Sequence, residues 1–61
     1  MTAKEIRDGL KGEGRVYYKQ VFAEHPKRVF DARIRKGSLQ VKTVERWHDV
    51  LYGDQIWAVG Q

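Results

Sequence analysis

Apolar and polar residues alternate most regularly between Arg28 and Thr43, and this alternation predicts a β-hairpin. The apolar positions are Phe30, Ala32, Ile34, Leu39 and Val41. A two-residue loop at Lys36-Gly37 gives the cross-strand pairs Ile34 with Leu39, Ala32 with Val41 and Asp31 with Lys42. A three-residue loop would mix apolar and polar side chains on each face, so the pattern favours the shorter loop. Gly37 supplies the positive φ that such a turn needs.

The residues before the hairpin predict one short helix and one strand. Thr2 and Glu5 have the spacing of a capping box, which starts a helix over residues 2–11. Gly12 and Gly14 end this helix. Residues 15–23 predict a strand with apolar side chains on both faces. This pattern is typical of a strand that is covered on both sides or carries a bulge, and an exposed aromatic row on one face would also give it.

The residues after the hairpin are less regular. Residues 44–52 fit either a bent strand or one or two helical turns, because Val44, Trp47 and Leu51 have helical spacing. Gly53-Asp54 favours a strand, since glycine at the first position of a two-residue loop fits a type II′ turn. The pairs that result are Leu51 with Ile56 and Val50 with Trp57. The last strand then covers residues 55–59.

The aromatic side chains are the expected compensation for the small size of the chain. A domain of 61 residues buries only about 60% of the surface of its unfolded chain, so its core is marginal. We expect Phe30 and Trp47 to lie in this core. One of Tyr17 and Tyr18 should face solvent, and the pattern does not say which.

Together these elements predict a single domain over residues 1–61. Its fold class is mostly β, or α+β if the one short helix is counted. The helix covers residues 2–11, and a four- or five-stranded antiparallel meander covers residues 15–60. So short a meander closes most easily into a small barrel, which removes the exposed sheet edges. The layout resembles the SH3-like and Sm-like small barrels. This resemblance implies a fold and no particular function.

The composition excludes several classes of protein. Without cysteine the chain forms neither a disulfide framework nor a zinc site of the usual kind. No apolar run approaches the roughly 18 residues of a membrane span, and the N-terminal residues lack the apolar core of a signal peptide. We therefore expect a cytoplasmic protein with no membrane contact.

The positive charge of the chain is concentrated on the hairpin. The formal net charge is +4. Residues 27–42 hold six basic side chains and one acidic one, a net +5, and the rest of the chain is therefore at −1. Such asymmetry indicates a polyanionic partner. It is equally typical of an edge strand that is protected from aggregation by its charges.

Catalysis is not expected. His48 and Asp49 are neighbours, so on a strand their side chains point to opposite faces, and Asp49 does not orient His48 as in a catalytic triad. The two histidines lack the spacing of a metal site, and no glycine-rich loop opens a helix to bind phosphate. The sequence thus predicts no enzyme, no cofactor and no metal.

Nucleic-acid binding is the leading functional interpretation. The candidate contacts on and beside the outer face of the hairpin are Arg28, Arg33, Arg35, Lys36, Gln40 and Lys42. Side chains on one strand face recur about every 6.6 Å, similar to phosphates along a strand. The candidate stacking residues are Tyr17, Tyr18 and Trp57, because single-strand-binding barrels combine charge with stacking. The sequence distinguishes neither DNA from RNA nor single from double strands.

The alternative is a protein-interaction module, either an adaptor or an inhibitor, without catalytic activity. Small barrels present strand edges and grooves to other chains. The basic residues would then contact an acidic protein surface. An exposed apolar patch of Tyr17, Val21, Val29 and Val44 would favour this interpretation, and a homodimer would cover the patch.

Overall fold

The computed structural model describes residues 1–60, which form one helix and six strands. The elements are α1 (Ala3–Gly9), β1 (Arg15–Lys19), β2 (Lys27–Val29), β3 (Asp31–Arg35), β4 (Ser38–Lys42), β5 (Trp47–Asp49) and β6 (Gln55–Val59). The strands make two three-stranded antiparallel sheets, in the orders β2-β1-β6 and β3-β4-β5. The prediction of a mostly β chain with one short helix is confirmed, but the strands are six rather than four or five.

The N-terminal helix begins at the predicted capping box. The Thr2 hydroxyl accepts a hydrogen bond from the Glu5 N–H at 3.1 Å, and the Glu5 carboxylate accepts one from the Thr2 N–H at 2.9 Å. The hydrogen bond from the Thr2 N–H is the main cause that lowers the pKa of Glu5, and the Thr2 side chain lowers it further. The helix is shorter than predicted and buries Ala3 and Ile6. Its contacts with β1, β3 and β6 join the two sheets at one end.

The hairpin has the predicted register. Ile34 pairs with Leu39, Ala32 with Val41 and Asp31 with Lys42. Lys36 and Gly37 both have positive φ, at 51° and 79°, as a type I′ turn requires. The local alternation and the turn residues were therefore sufficient to predict this pair of strands.

Phe30 marks the point where the chain passes from one sheet to the other. β2 pairs with β1, whereas β3 pairs with β4, and the Phe30 N–H donates to the Lys42 carbonyl at 2.8 Å. Val29 and Ala32 are both buried, although side chains three positions apart on a regular strand lie on opposite faces. The change of sheet at Phe30 allows this and turns the Phe30 ring outward, 48% exposed. The prediction of a core Phe30 is therefore wrong.

The predicted hairpin at Gly53-Asp54 does not form. β6 covers the predicted residues, but it pairs along its whole length with β1 rather than with the residues before the turn. The Asp54 N–H donates to the Leu51 carbonyl at 3.0 Å. Gly53 has a φ of 93° at the third position of this turn, as in type II and not type II′. Residues 44–52 contain no helical turn; they form a bend at 44–45, the three-residue strand β5 and the start of the turn at 52–53.

The core lies between the two sheets and the helix. Its fully buried members are Ala3, Ile6, Val16, Tyr18, Val29, Ala32 and Val41. Tyr18 is the inward tyrosine, and its hydroxyl donates to the Asp54 carboxylate at 2.7 Å. Burial and this hydrogen bond raise the pKa of Tyr18 to about 12. The strand predicted over residues 15–23 ends at Lys19.

Asp54 ties the loop after β1 to the turn before β6. Besides the Tyr18 hydroxyl, its carboxylate accepts hydrogen bonds from the N–H groups of Val21 at 3.0 Å and Leu51 at 2.9 Å. Burial alone would raise the pKa of Asp54, but these three donors lower it overall. A single carboxylate thus joins the point where the chain leaves β1 to the point where it enters β6.

Candidate nucleic-acid interface

The register of β3 and β4 brings most of the candidate residues to one face. Arg33 lies beside Gln40, Arg35 beside Ser38, and Lys42 beside Asp31. The opposite face carries the buried Ala32 and Val41. We call the outward side of β3, β4 and β5 the hairpin face; its candidate residues are Arg33, Arg35, Gln40 and Lys42, with Lys36 at the exposed tip.

Trp47 belongs to the hairpin face and not to the core, contrary to the prediction. Its place on β5 is opposite Lys42, and it is only half-buried. The Arg33 guanidinium carbon lies 4.0 Å from the centroid of the indole, a cation–π contact. The Lys42 ammonium lies 6.0 Å from the same ring. Sequence reasoning missed Trp47 because an aromatic residue in an irregular stretch carries no sign of which side it faces.

A hydrogen-bonded row crosses the hairpin face. The Arg33 Nε donates to the Gln40 side-chain carbonyl at 2.8 Å, and the Gln40 amide donates to the Asp49 carboxylate at 2.7 Å. Together with the contact to Trp47, this row holds the Arg33 side chain in one orientation. Such an arginine is pre-organised, so less conformational entropy is lost when it binds a ligand. Arg35, Lys36 and Lys42 are exposed.

Two carboxylates reduce the positive charge of the hairpin face. Asp31 lies beside Lys42, and Asp49 lies at the end of the row with Gln40. The Asp31 carboxylate accepts a hydrogen bond from the Ala32 N–H at 2.8 Å. Four basic side chains therefore share this face with two acidic ones.

Arg28 does not lie on the hairpin face. It belongs to β2, in the other sheet, because the chain changes sheets at Phe30. Its cross-strand neighbour is Tyr17, whose other neighbour is Trp57 on β6. The Tyr17 and Trp57 rings are stacked, with centroids 5.9 Å apart and planes at 28°. Two of the candidate stacking residues thus lie beside Arg28, away from the other candidate arginines.

The apolar patch that would favour a protein-interaction module does not form with all four of its residues, but a different apolar patch does. Val29 is fully buried, so it cannot join Tyr17, Val21 and Val44 at the surface. Val21 instead lies with three further exposed side chains, Phe22, Leu51 and Tyr52, around a cleft of about 390 Å³. We call these four residues the loop patch.

His48 faces inward, behind the hairpin face. Its Nε2 lies 2.9 Å from the Thr43 hydroxyl, and the ring is 5% exposed. Burial lowers the pKa of His48, and the positive charges of Lys27 and Arg46 lower it further. The negative charge of Glu45 raises the pKa of His48 and partly offsets these effects. An ion pair with Lys27 at 3.1 Å lowers the pKa of Glu45 itself.

Within residues 1–60 no three side chains of the types that bind metals come together, and no helix is long and apolar enough to cross a membrane. No family model matches the chain, and no curated protein or solved structure shows significant similarity to it.

Proposed function

We propose that the protein is a small nucleic-acid-binding module that contacts phosphates through the hairpin face. The observation that carries the proposal is the common orientation of Arg33, Arg35 and Lys42, with Arg33 held over Trp47. Arginine guanidinium groups bind phosphate through two parallel hydrogen bonds, and lysines neutralise it as point charges. Lys36 extends this face at the tip of the hairpin. We also propose that the protein is cytoplasmic.

The fold proposal is that the two sheets form a small SH3-like or Sm-like barrel. Residues 27–35 support it, because they run as one bent segment from the first sheet into the second. The pairing of β6 with β1 brings the last strand back to the first. Barrels of this kind leave their outer faces free for ligands.

The test compares two double variants of equal charge. Arg35→Gln with Lys42→Gln removes two charges from the hairpin face, and Lys4→Gln with Arg7→Gln removes two exposed charges from the helix. The logarithm of the affinity for an oligonucleotide falls linearly with the logarithm of the salt concentration. Each lost phosphate contact reduces this slope by about 0.7 for a single strand and about 0.9 for a duplex.

We expect the hairpin variant to bind more weakly, with a slope reduced by about 1.4 to 1.8, while the helix variant keeps nearly the wild-type slope. Arg33 is left unchanged because its contacts with Trp47 and Gln40 are part of the fold. Equal losses in the two variants would mean that only net charge matters, and the hairpin face would then not be the binding site.

The loop patch supports a second candidate function, binding of a protein partner or a second copy of this chain. Phe22 and Tyr52 are almost completely exposed, at 96% and 104%. Contiguous exposed apolar residues of this kind mark interaction sites. If a homodimer forms through this patch, the sedimentation coefficient should rise with protein concentration, and Phe22→Ser should abolish this dependence. A monomer at all concentrations would contradict the homodimer.

A further inference from the structure

The outward side of the β2-β1-β6 sheet combines aromatic rings with arginines. Arg28, Tyr17 and Trp57 form one row across the three strands. In the next row Arg15 lies opposite Val59 on β6. We call the outward side of this sheet, together with Phe30 just after β2, the aromatic face; the residues that matter below are Arg15, Tyr17, Arg28, Trp57 and Phe30.

The rings of this face are only partly covered. Trp57 is 36% exposed and Phe30 is 48% exposed. The Tyr17 ring stacks on Trp57, and the Arg28 guanidinium lies 5.5 Å from the centroid of Phe30. These contacts leave part of each ring open to a planar ligand. Base–aromatic stacking of this kind tolerates any sequence, since every base has a π-face.

A groove beside the rings adds positive charge. It has a volume of about 720 Å³ and is open to solvent. Arg15, Arg28 and Phe30 line it together with the glycine-containing loop 12–14 and the end of β6. Glu13 is the acidic residue of the lining. The two arginines lie on neighbouring strands, so both guanidinium groups reach a ligand in the groove.

We propose that the aromatic face binds single-stranded nucleic acid, with a base stacked on Trp57 and the backbone phosphates held by Arg15 and Arg28. The charge of this face indicates the class of ligand. A purely apolar partner would not need two arginines beside the rings, whereas a polyanion with planar bases would contact both the arginines and the rings. The bases must be unpaired, because a duplex encloses their π-faces. The proposal rests on nucleic acid being the ligand of this chain, and it adds a second contact surface to the hairpin face.

The test uses the two tryptophans as separate reporters, since each face contains one. In Trp47→Phe the only tryptophan is Trp57, and in Trp57→Phe it is Trp47. Each variant is titrated with oligothymidylate, with a duplex and with inorganic polyphosphate. We expect oligothymidylate to quench the fluorescence of Trp57, and we expect the duplex and polyphosphate to leave it unchanged. Trp57→Leu, checked for cooperative unfolding, should bind oligothymidylate about 5- to 150-fold more weakly.

The outcomes separate this proposal from the proposed function. Oligonucleotide binding that depends on Arg35 and Lys42 but leaves Trp57 fluorescence unchanged would overturn the aromatic face and keep the hairpin face. If oligonucleotide quenches Trp57 but the Arg35→Gln and Lys42→Gln double variant binds with unchanged affinity, the hairpin face would be overturned and the aromatic face kept. Equal quenching by polyphosphate would overturn stacking, because that polymer has no bases. Absence of binding at low salt would overturn both.

Discussion

His48 is the buried titratable residue of the second sheet. Its Nδ1 has no hydrogen-bond partner among residues 1–60, and its Nε2 contacts Thr43. Protonation would place a charge in the core, near the positive charges of Lys27 and Arg46. The pKa of His48 is therefore lower in the folded protein than its usual value of 6.5. The unfolded chain binds this proton more tightly than the folded one.

The resulting prediction concerns stability at mildly acidic pH. The contribution of neutral His48 to the free energy of unfolding is complete above pH 6.5. It is lost as the pH falls from 6.5 through the lower pKa that His48 has in the folded protein. Urea unfolding between pH 7.5 and 5 should show this loss. His48→Gln should flatten the profile, whereas His25→Gln, at an exposed position, should not. Identical profiles in both variants would contradict the account of His48.

Single residues also show where sequence reasoning ends. Tyr17 and Tyr18 could not be told apart, because inward and outward tyrosines look alike in a strand with aromatic residues on both faces. Tyr18 is inside because its hydroxyl reaches the Asp54 carboxylate, 36 positions away. Arg28 was assigned to the hairpin face because nothing in the local pattern marks Phe30 as the point where the chain changes sheets.

Among the elements, the hairpin depends most on a single turn. Lys36 and Gly37 both have positive φ, and an added Cβ at Gly37 would meet no atom within 4 Å. Any effect of a larger residue there is therefore a backbone effect and not a steric clash. Residues other than glycine and asparagine pay about 1–2 kcal/mol for this conformation.

Two substitutions in this turn should act in opposite directions. Gly37→Val should lower the free energy of unfolding by about 1–2 kcal/mol, since a β-branched residue resists positive φ. Lys36→Asn should raise the melting temperature, because Asn-Gly is the preferred type I′ sequence. Thermal unfolding followed by circular dichroism measures both. If Gly37→Val melts like the wild type, the turn assignment is wrong.

The elements differ in how far the sequence determines them. The hairpin register was predictable because alternation and turn residues act over neighbouring positions. The pairing of β6 was not, because the apolar pattern of residues 55–59 fits either the preceding residues or β1. The distant strand is the partner, and Tyr17 and Trp57 meet across 40 positions as a result. For the same reason the sequence named Tyr17 and Trp57 as stacking candidates but did not predict that they share one face with Arg28.

At the scale of the whole molecule, the positive charge lies on two sheets rather than on one hairpin. The change of sheet at Phe30 divides the basic segment, leaving Arg28 on the aromatic face and Arg33, Arg35 and Lys42 on the hairpin face. A flexible polyanion that passes from one face to the other gains two contact regions on a single small protein. Linked contacts of this kind raise the overall affinity without strengthening either one.

The most direct test of phosphate binding by the hairpin face is an NMR titration of the ¹⁵N-labelled protein with a mixed-sequence oligonucleotide at two salt concentrations. We expect binding that weakens steeply at the higher salt concentration and shifts the amide resonances of Arg33, Arg35 and Lys42. Absence of binding at low salt would contradict it, because non-specific attraction to phosphates is strongest there. Shifts confined to the loop patch would contradict it as well, because the oligonucleotide would then bind at that patch and not on the hairpin face.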